Sequence, residues 1–196
     1  MARKGWLALP VLAAMSAACE PGVSRVVPGP VTSIYSPQEF SYAAGGRDLH
    51  TVVAGNPFGG DQAAFARRVT NLMQGKHFGP RTHFTTMPNE TARRDYRVMM
   101  VFNPGDAMTA TGLCEREVIP TAPPSASTGQ PRSIQLQAVF CRGSSLASTA
   151  TGWVEGVTSP EDGSFESLVG STTMALFPQE DPTRGGQRLC PFLGGC

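Results

Sequence analysis

The chain has 196 residues with 16 basic and 15 acidic side chains. Its formal net charge of +1 gives no overall attraction to nucleic acid, which we therefore do not expect as a partner. The 22 glycines and 17 prolines indicate long loops rather than a helical bundle, and the chain contains no internal repeat. A chain of this length buries enough surface for one independent domain.

The first eighteen residues have the pattern of an export signal. Arg3 and Lys4 precede an apolar run from Trp6 to Met15, and small residues follow it. The run is shorter than the ~20 residues that a membrane-spanning helix needs. We therefore expect residues 1–18 to be a signal peptide that is removed.

Cys19 directly follows the small residues Ser16, Ala17 and Ala18. This arrangement resembles the lipobox of bacterial lipoproteins, with Ser16 at the place where leucine is common. The resemblance implies cleavage before Cys19, acylation of that cysteine with lipid such as palmitate, and attachment to a membrane of the bacterial cell envelope. Glu20, where some bacteria use aspartate to retain lipoproteins, favours the outer over the inner membrane. Ordinary cleavage after Ala18, which gives a secreted chain without an anchor, is the alternative.

The remaining chain divides by composition into three parts. Residues 19–37 are rich in proline and glycine, and they are predicted to be a tether between the lipid and the folded domain. Residues 38–178 carry the periodic apolar patterns of a folded domain, interrupted by a predicted long loop at residues 104–132. Residues 179–196 are predicted to form an irregular tail.

The first half of the domain is predicted to contain a hairpin and a helix. The hairpin has strands at residues 40–42 and 49–54 around a turn at residues 44–47. A helix is expected over residues 62–74, with Asp61 as its cap. Its apolar side chains recur at helical spacing, which places one face on the core: Phe65, Val69, Leu72 and Met73.

The second half is predicted to contain four strands, at residues 82–86, 96–102, 134–141 and 146–155. A second helix is expected after residues 159–162, where serine, proline and two acids form a start signal, and Pro178 ends it. Because strands adjacent in the chain favour antiparallel pairing, we predict a two-layer α+β domain. Its sheet is mainly antiparallel, and the two amphipathic helices cover one face.

Five cysteines are an odd number for an oxidising compartment. If Cys19 carries lipid, four others remain, and loop length favours the pairs Cys114–Cys141 and Cys190–Cys196. Four cysteines can pair in three ways, so the two other pairing patterns remain open alternatives. The chain has no Cys-x-x-Cys motif, and its three histidines lack the helical spacing of metal ligands. We expect neither a metal nor a cofactor.

Cations are concentrated in residues 62–97. We treat Arg67, Arg68, Arg93 and Arg94 as a candidate basic patch for anionic lipid or an anionic envelope polymer. A solvated surface of mixed charge is the alternative explanation of this concentration.

No catalytic residue can be assigned, because the chain has neither a nucleophile-elbow motif nor a phosphate-binding loop. Asp48 and His50 beside one of the many serines would be a chance combination. We therefore predict a membrane-anchored envelope lipoprotein without catalytic activity, which binds or assembles another envelope protein or an anionic polymer. The alternative is a periplasmic or surface hydrolase with an active site of unrecognised type.

Overall fold

A computed structural model describes residues 24–105, 108–116, 119, 121 and 131–180. The predicted signal peptide, Cys19 and the predicted Cys190–Cys196 pair lie outside these residues. The described part contains one sheet whose strands are β1 (Arg25–Val31), β2 (Asp48–Ala54), β3 (His83–Thr85), β4 (Tyr96–Phe102), β5 (Arg132–Arg142) and β6 (Ser145–Val157). Its helices are α1 (Pro37–Ala44), α2 (Gln62–Met73), α3 (Ala110–Glu115) and α4 (Gly163–Leu176).

The strands lie in the order β1-β6-β5-β4-β2-β3. The pairs among β1, β6, β5 and β4 are antiparallel, whereas β2 runs parallel to both β4 and β3. The parallel pairs arise because the chain leaves β2 through α2, and such a crossover returns the next strand in the same direction. The predicted α+β class and the mainly antiparallel sheet are confirmed.

Helices cover both faces of the sheet. The larger core joins buried side chains of α1, α2 and α4 to one sheet face: Phe40, Phe65, Val69, Phe165 and Leu168 with Val98, Met100, Leu136 and Phe140. On the other face, Leu113 and Cys114 of α3 pack against Met99, Val101 and Val139. The sequence predicts two helices on one face, whereas the structure places α1, α2 and α4 there and α3 on the other face. Helix α3 also lies within the predicted long loop at residues 104–132.

The first strand of the predicted hairpin is instead helix α1. The Ser36 hydroxyl accepts a hydrogen bond from the Glu39 N–H at 3.0 Å, and Pro37 occupies the first turn. Both features stabilise a helix start. Phe40 and Ala44, four residues apart, are both buried on the core side of this helix. An apolar alternation of only three residues was too short to distinguish strand from helix.

The predicted tether at residues 19–37 also requires correction, because residues 25–31 form the edge strand β1. Arg25 lies opposite Trp153 of β6, and the pairing continues to Pro28 before the register shifts. Proline and glycine indicated a loop, but an edge strand tolerates proline since one side of it needs no N–H donor. The chain between Cys19 and the sheet is therefore much shorter than predicted.

Helix α2 and strand β4 follow the prediction closely. The Asp61 carboxylate accepts a hydrogen bond from the Ala63 N–H at 2.8 Å, which caps α2 as expected. Helix α4, in contrast, begins later than the signal at residues 159–162 suggested. Asp162, rather than Ser159, is its cap and accepts from the Ser164 N–H at 2.9 Å.

Candidate functional site

A groove of about 810 Å³ lies where β3 ends while β2 continues. β3 pairs with β2 only along Asp48–His50, whereas β4 pairs with β2 as far as Ala54. Among the described residues, Thr51–Ala54 therefore has no strand partner on its outer side. We call this space the edge groove. Its floor is the outer edge of β2, and its walls are α2 and the end of β3.

The walls of the edge groove are mostly apolar. Ala63 and Ala66 of α2 line one side, and the buried Phe84 of β3 closes one end. Met87 stands at the mouth with 85% of its surface exposed. Arg67 of α2 is the arginine that lines this groove, and its side chain is solvent-exposed.

Backbone polar groups form the floor of the groove. The Arg47 carbonyl accepts from the His83 N–H at 3.1 Å, so the odd-numbered residues here direct their backbone groups towards β3. By the same alternation, the pairing of His50 with Thr85 directs the Thr51 N–H to the Thr85 carbonyl, whereas the Thr51 carbonyl and both backbone groups of Val53 face the groove. The Val53 carbonyl accepts from the Gln62 side-chain amide at 2.9 Å. A side chain thus occupies a position where a neighbouring strand would bind.

The opposite edge of the sheet is built differently. β1 contains Pro28 and Pro30, which lack N–H donors, and its register shifts between Pro28 and Val31. Prolines and irregular pairing are features that prevent strand addition at exposed edges. β3 protects its own edge by being only three residues long. Of the sheet edges described, the outer side of Thr51–Ala54 is thus the one that can accept a further strand.

Asp48 fixes the closed end of the groove. Its buried carboxylate contacts the His83 Nδ1 at 2.8 Å and accepts from the Asn89 backbone N–H at 2.9 Å. The Asn89 N–H lowers the pKa of Asp48, its effect outweighing the opposing effect of burial, and His83 lowers it further. The carboxylate therefore stays charged and holds β3 and the following loop against β2.

The three histidines do not converge. Burial, assisted by the neighbouring Arg97, lowers the pKa of His50, which lines the edge groove. Burial also lowers the pKa of His77, whose ring packs edge-on against Phe40 and other core rings. Among the residues that the structure describes, no group of three or more His, Cys, Asp or Glu is placed to hold a metal ion.

The acid–base pair that the structure forms is Asp48 with His83, not Asp48 with His50. Within the described part of the chain, neither partner of this pair hydrogen-bonds to a serine hydroxyl. The edge groove thus offers apolar walls and backbone hydrogen-bonding groups, and it lacks an assembled nucleophile and base. This arrangement is suited to binding.

The four arginines of the candidate basic patch lie in three places. Arg67 lines the edge groove. Arg68 forms an ion pair with Glu166 of α4. Arg93 and Arg94 lie together near the start of β4, beside other cavities. The structure therefore brings only the last two together.

The predicted pair Cys114–Cys141 is confirmed as a disulfide, with 5.6 Å between the Cα atoms. It joins α3 to the sheet on the face opposite α2. Arg97 of β4 adds to this attachment by donating a hydrogen bond to the Cys114 carbonyl. Both cysteines are buried within the smaller core.

No known family model matches the chain, and no curated protein matches it. Among solved structures, the PelC dodecamer from Paraburkholderia phytofirmans is similar at 14% identity and a TM-score of 0.42. The match covers 80% of this chain and 97% of that one. A point variant of the same dodecamer matches at 12% identity and a TM-score of 0.41, covering 80% and 98%. Similarity at this level transfers neither assembly nor function to this chain.

None of the described helices is long and apolar enough to cross a membrane.

Proposed function

We propose that this chain is a lipid-anchored protein of the bacterial cell envelope that binds an extended segment of another envelope protein in the edge groove. The observation that carries the binding role is the outer edge of Thr51–Ala54, which has no strand partner among the described residues. The bound segment would take the place that a longer β3 would occupy. It would form backbone hydrogen bonds with Thr51 and Val53.

The dimensions of the groove fit such a segment. Four uncovered residues of β2 span ~13 Å, which matches three or four residues of an extended peptide. In strand addition, main-chain hydrogen bonds provide affinity and alternate side chains provide specificity. Side chains on one face of the peptide would contact Ala63 and Ala66, while those on the other would lie near Val52. We therefore expect small apolar or β-branched residues at alternate positions of the partner segment.

The location rests on separate observations. Residues 1–18 have the pattern of an export signal, and Cys19 follows them in a lipobox-like setting. The Cys114–Cys141 disulfide favours a compartment outside the reducing cytosol. Glu20 favours the outer membrane. Fatty-acid labelling should detect the anchor and should vanish in Cys19→Ser, and a wild type that takes no label would contradict it.

The binding role can be tested by photo-crosslinking in the native envelope. A photoreactive residue is placed at Met87, at the mouth of the groove, and a control is placed at Val27, which is 49% exposed on the proline-protected edge. We expect one discrete adduct with another envelope protein from position 87 and none from position 27.

A pair of substitutions at one position then tests the mode of binding. Val53→Pro removes the N–H that points into the groove, whereas the β2–β4 ladder uses the neighbouring residues. Val53→Ala shortens the side chain but keeps the N–H. We expect Val53→Pro to abolish the adduct and Val53→Ala to retain it. An adduct that survives Val53→Pro, or that contains only a second copy of this chain, would refute the proposal.

A further inference from the structure

A second cavity, of about 360 Å³, lies at the end of the sheet where β4 begins and β5 ends. Its walls carry arginines from three separate segments: Arg47 follows α1, Arg93 and Arg94 precede β4, and Arg142 ends β5. We call this cavity the arginine pocket. The fold brings together cations that are up to 95 residues apart in the sequence (47 to 142).

Arg93 is held in place by Tyr42. Its guanidinium carbon lies 3.5 Å from the centre of the Tyr42 ring. Its Nε donates to the Tyr42 carbonyl and its Nη1 to the Tyr42 hydroxyl, both at 2.8 Å. A guanidinium group has five N–H donors, and these contacts use two of them. Arg93 is thus oriented in advance and keeps donors for a ligand.

Arg142 is positioned in a similar way. Its Nη1 lies 3.1 Å from a carboxylate oxygen of Glu39, and this oxygen also accepts from the Tyr96 hydroxyl. Burial, together with Glu39, raises the pKa of Tyr96 to about 12, so its hydroxyl remains a donor. Glu39 is therefore held in place, and the Nη1 group of Arg142 is used in the ion pair with Glu39.

Carboxylates also line the arginine pocket. Glu90 and Asp95 lie in its walls, and no described ion pair joins either of them to an arginine. With Glu39 included, four arginines face three carboxylates, which leaves a net positive charge of one. Arginine forks suit a ligand carboxylate, while side-chain carboxylates accept hydrogen bonds from ligand hydroxyls. The lining thus matches a singly charged anion that also carries hydroxyl groups.

We propose that the arginine pocket binds a sugar acid of the uronate type. Its carboxylate is held by Arg93 and Arg94, and its hydroxyls are held by Glu90 and Asp95. The size of the cavity suits one sugar unit. The same chemistry is presented by a free sugar acid and by a unit of an acidic polysaccharide.

The arginine pocket lies at the end of the sheet opposite to Arg25, the first residue of β1. Arg25 of β1 lies opposite Trp153 of β6, which in turn lies opposite Gln135 of β5. The pocket lies at Arg142, seven residues further along β5, and these seven residues span ~23 Å. If the anchor is Cys19, as the proposed function holds, the six residues to Arg25 reach at most ~21 Å. The pocket then lies at the end of the sheet remote from the anchored strand end, where a soluble or polymeric ligand is accessible.

Titration of the exported full-length protein tests the pocket itself. Amide chemical shifts are followed by NMR while glucuronate is added at constant ionic strength, with glucose and inorganic phosphate as comparison probes. We expect saturable shifts around Tyr42 and residues 90–95 with glucuronate, and binding at least tenfold weaker with either other probe. A uronate trisaccharide that binds more tightly than glucuronate would identify a polymer as the source, and equal binding a free sugar acid.

Two variants separate the site from general charge. Arg94→Gln removes an exposed arginine of the pocket, and we expect it to weaken glucuronate binding at least tenfold. Arg25→Gln removes the same charge from an exposed arginine of β1, ~23 Å from the pocket along the strands, and should leave binding unchanged. The proposal is overturned if glucuronate causes no saturable shift, if phosphate binds equally well, or if both variants weaken binding equally. None of these results depends on the anchor or on the edge groove.

Discussion

Removal of the Cys114–Cys141 disulfide should cost a large part of the stability of the domain. The bridge joins residues 27 apart in sequence, and the chain-entropy relation gives a stabilisation of about 3.6 kcal/mol for a loop of that length. Domains are typically stable by about 5–15 kcal/mol, so the bridge provides a quarter or more of the total. Because α3 contacts the sheet on the face with the smaller core, few other contacts replace the lost restraint.

Urea denaturation of the oxidised wild type and of the double variant Cys114→Ala/Cys141→Ala measures this effect. We expect the free energy of unfolding to fall by about 3–4 kcal/mol. The dependence on urea should become steeper, since an unfolded chain without the cross-link exposes more surface. Reduction of the wild type by dithiothreitol is the control, because it breaks the bridge without removing side-chain volume.

A loss below about 1 kcal/mol in both experiments would refute the reasoning. It would mean that the bridge does not restrict the unfolded chain, or that the oxidised protein stores compensating strain. A large loss in the double variant with no loss on reduction would instead assign the effect to packing at the two buried sulfur positions.

Two further predictions concern the edge groove. Asp48→Asn should lower the free energy of unfolding by about 1–3 kcal/mol, since it removes the charged acceptor for His83 and the Asn89 N–H. Folding lowers the pKa of Asp48 below its ordinary value of 3.8. The difference in unfolding free energy between wild type and Asp48→Asn should therefore be complete above pH 3.8 and should disappear as the pH falls through the folded-state pKa. Urea titrations at a series of pH values measure it. Gln62→Ala should free the Val53 carbonyl and increase the crosslink yield from position 87, with an unfolding free energy changed by less than about 1 kcal/mol. An unchanged or lower yield would argue against strand addition.

Elements with long periodic patterns were predictable from the sequence. Strand β4 is apolar throughout, and α2 combines a cap with an apolar face, so local preference and tertiary packing agree in both. Helix α1 differs from the predicted strand although Ser36 and Pro37 form a helix start signal, because the short alternation of Phe40 and Tyr42 is equally typical of a strand. β1 could not be predicted because its prolines are compatible with a strand only at an edge, and edge position is a property of the assembled sheet.

The edge groove could not have been identified from sequence motifs. Its floor consists of backbone groups of ordinary strand residues. The groove exists because β3 is only three residues long and leaves the rest of β2 uncovered. The separation of Arg67 from Arg68, in contrast, was available from helix geometry. Consecutive residues on a helix point about 100° apart, so they cannot share one face fully. The arginine pocket depends on long-range strand pairing that brings Arg142 beside Tyr96.

The topology connects the proposed anchor with the two proposed sites. β1, the first described strand, is an outer strand of the sheet, and β2 with its edge groove lies near the opposite side. The arginine pocket lies at the end of β4 and β5 remote from Arg25. A lipid at Cys19 would therefore hold the domain at the edge of the sheet across from the edge groove, and at the strand end remote from the arginine pocket. An anchor attached there restricts diffusion and orientation while leaving both surfaces accessible, which is what a protein that connects the membrane with an envelope partner requires.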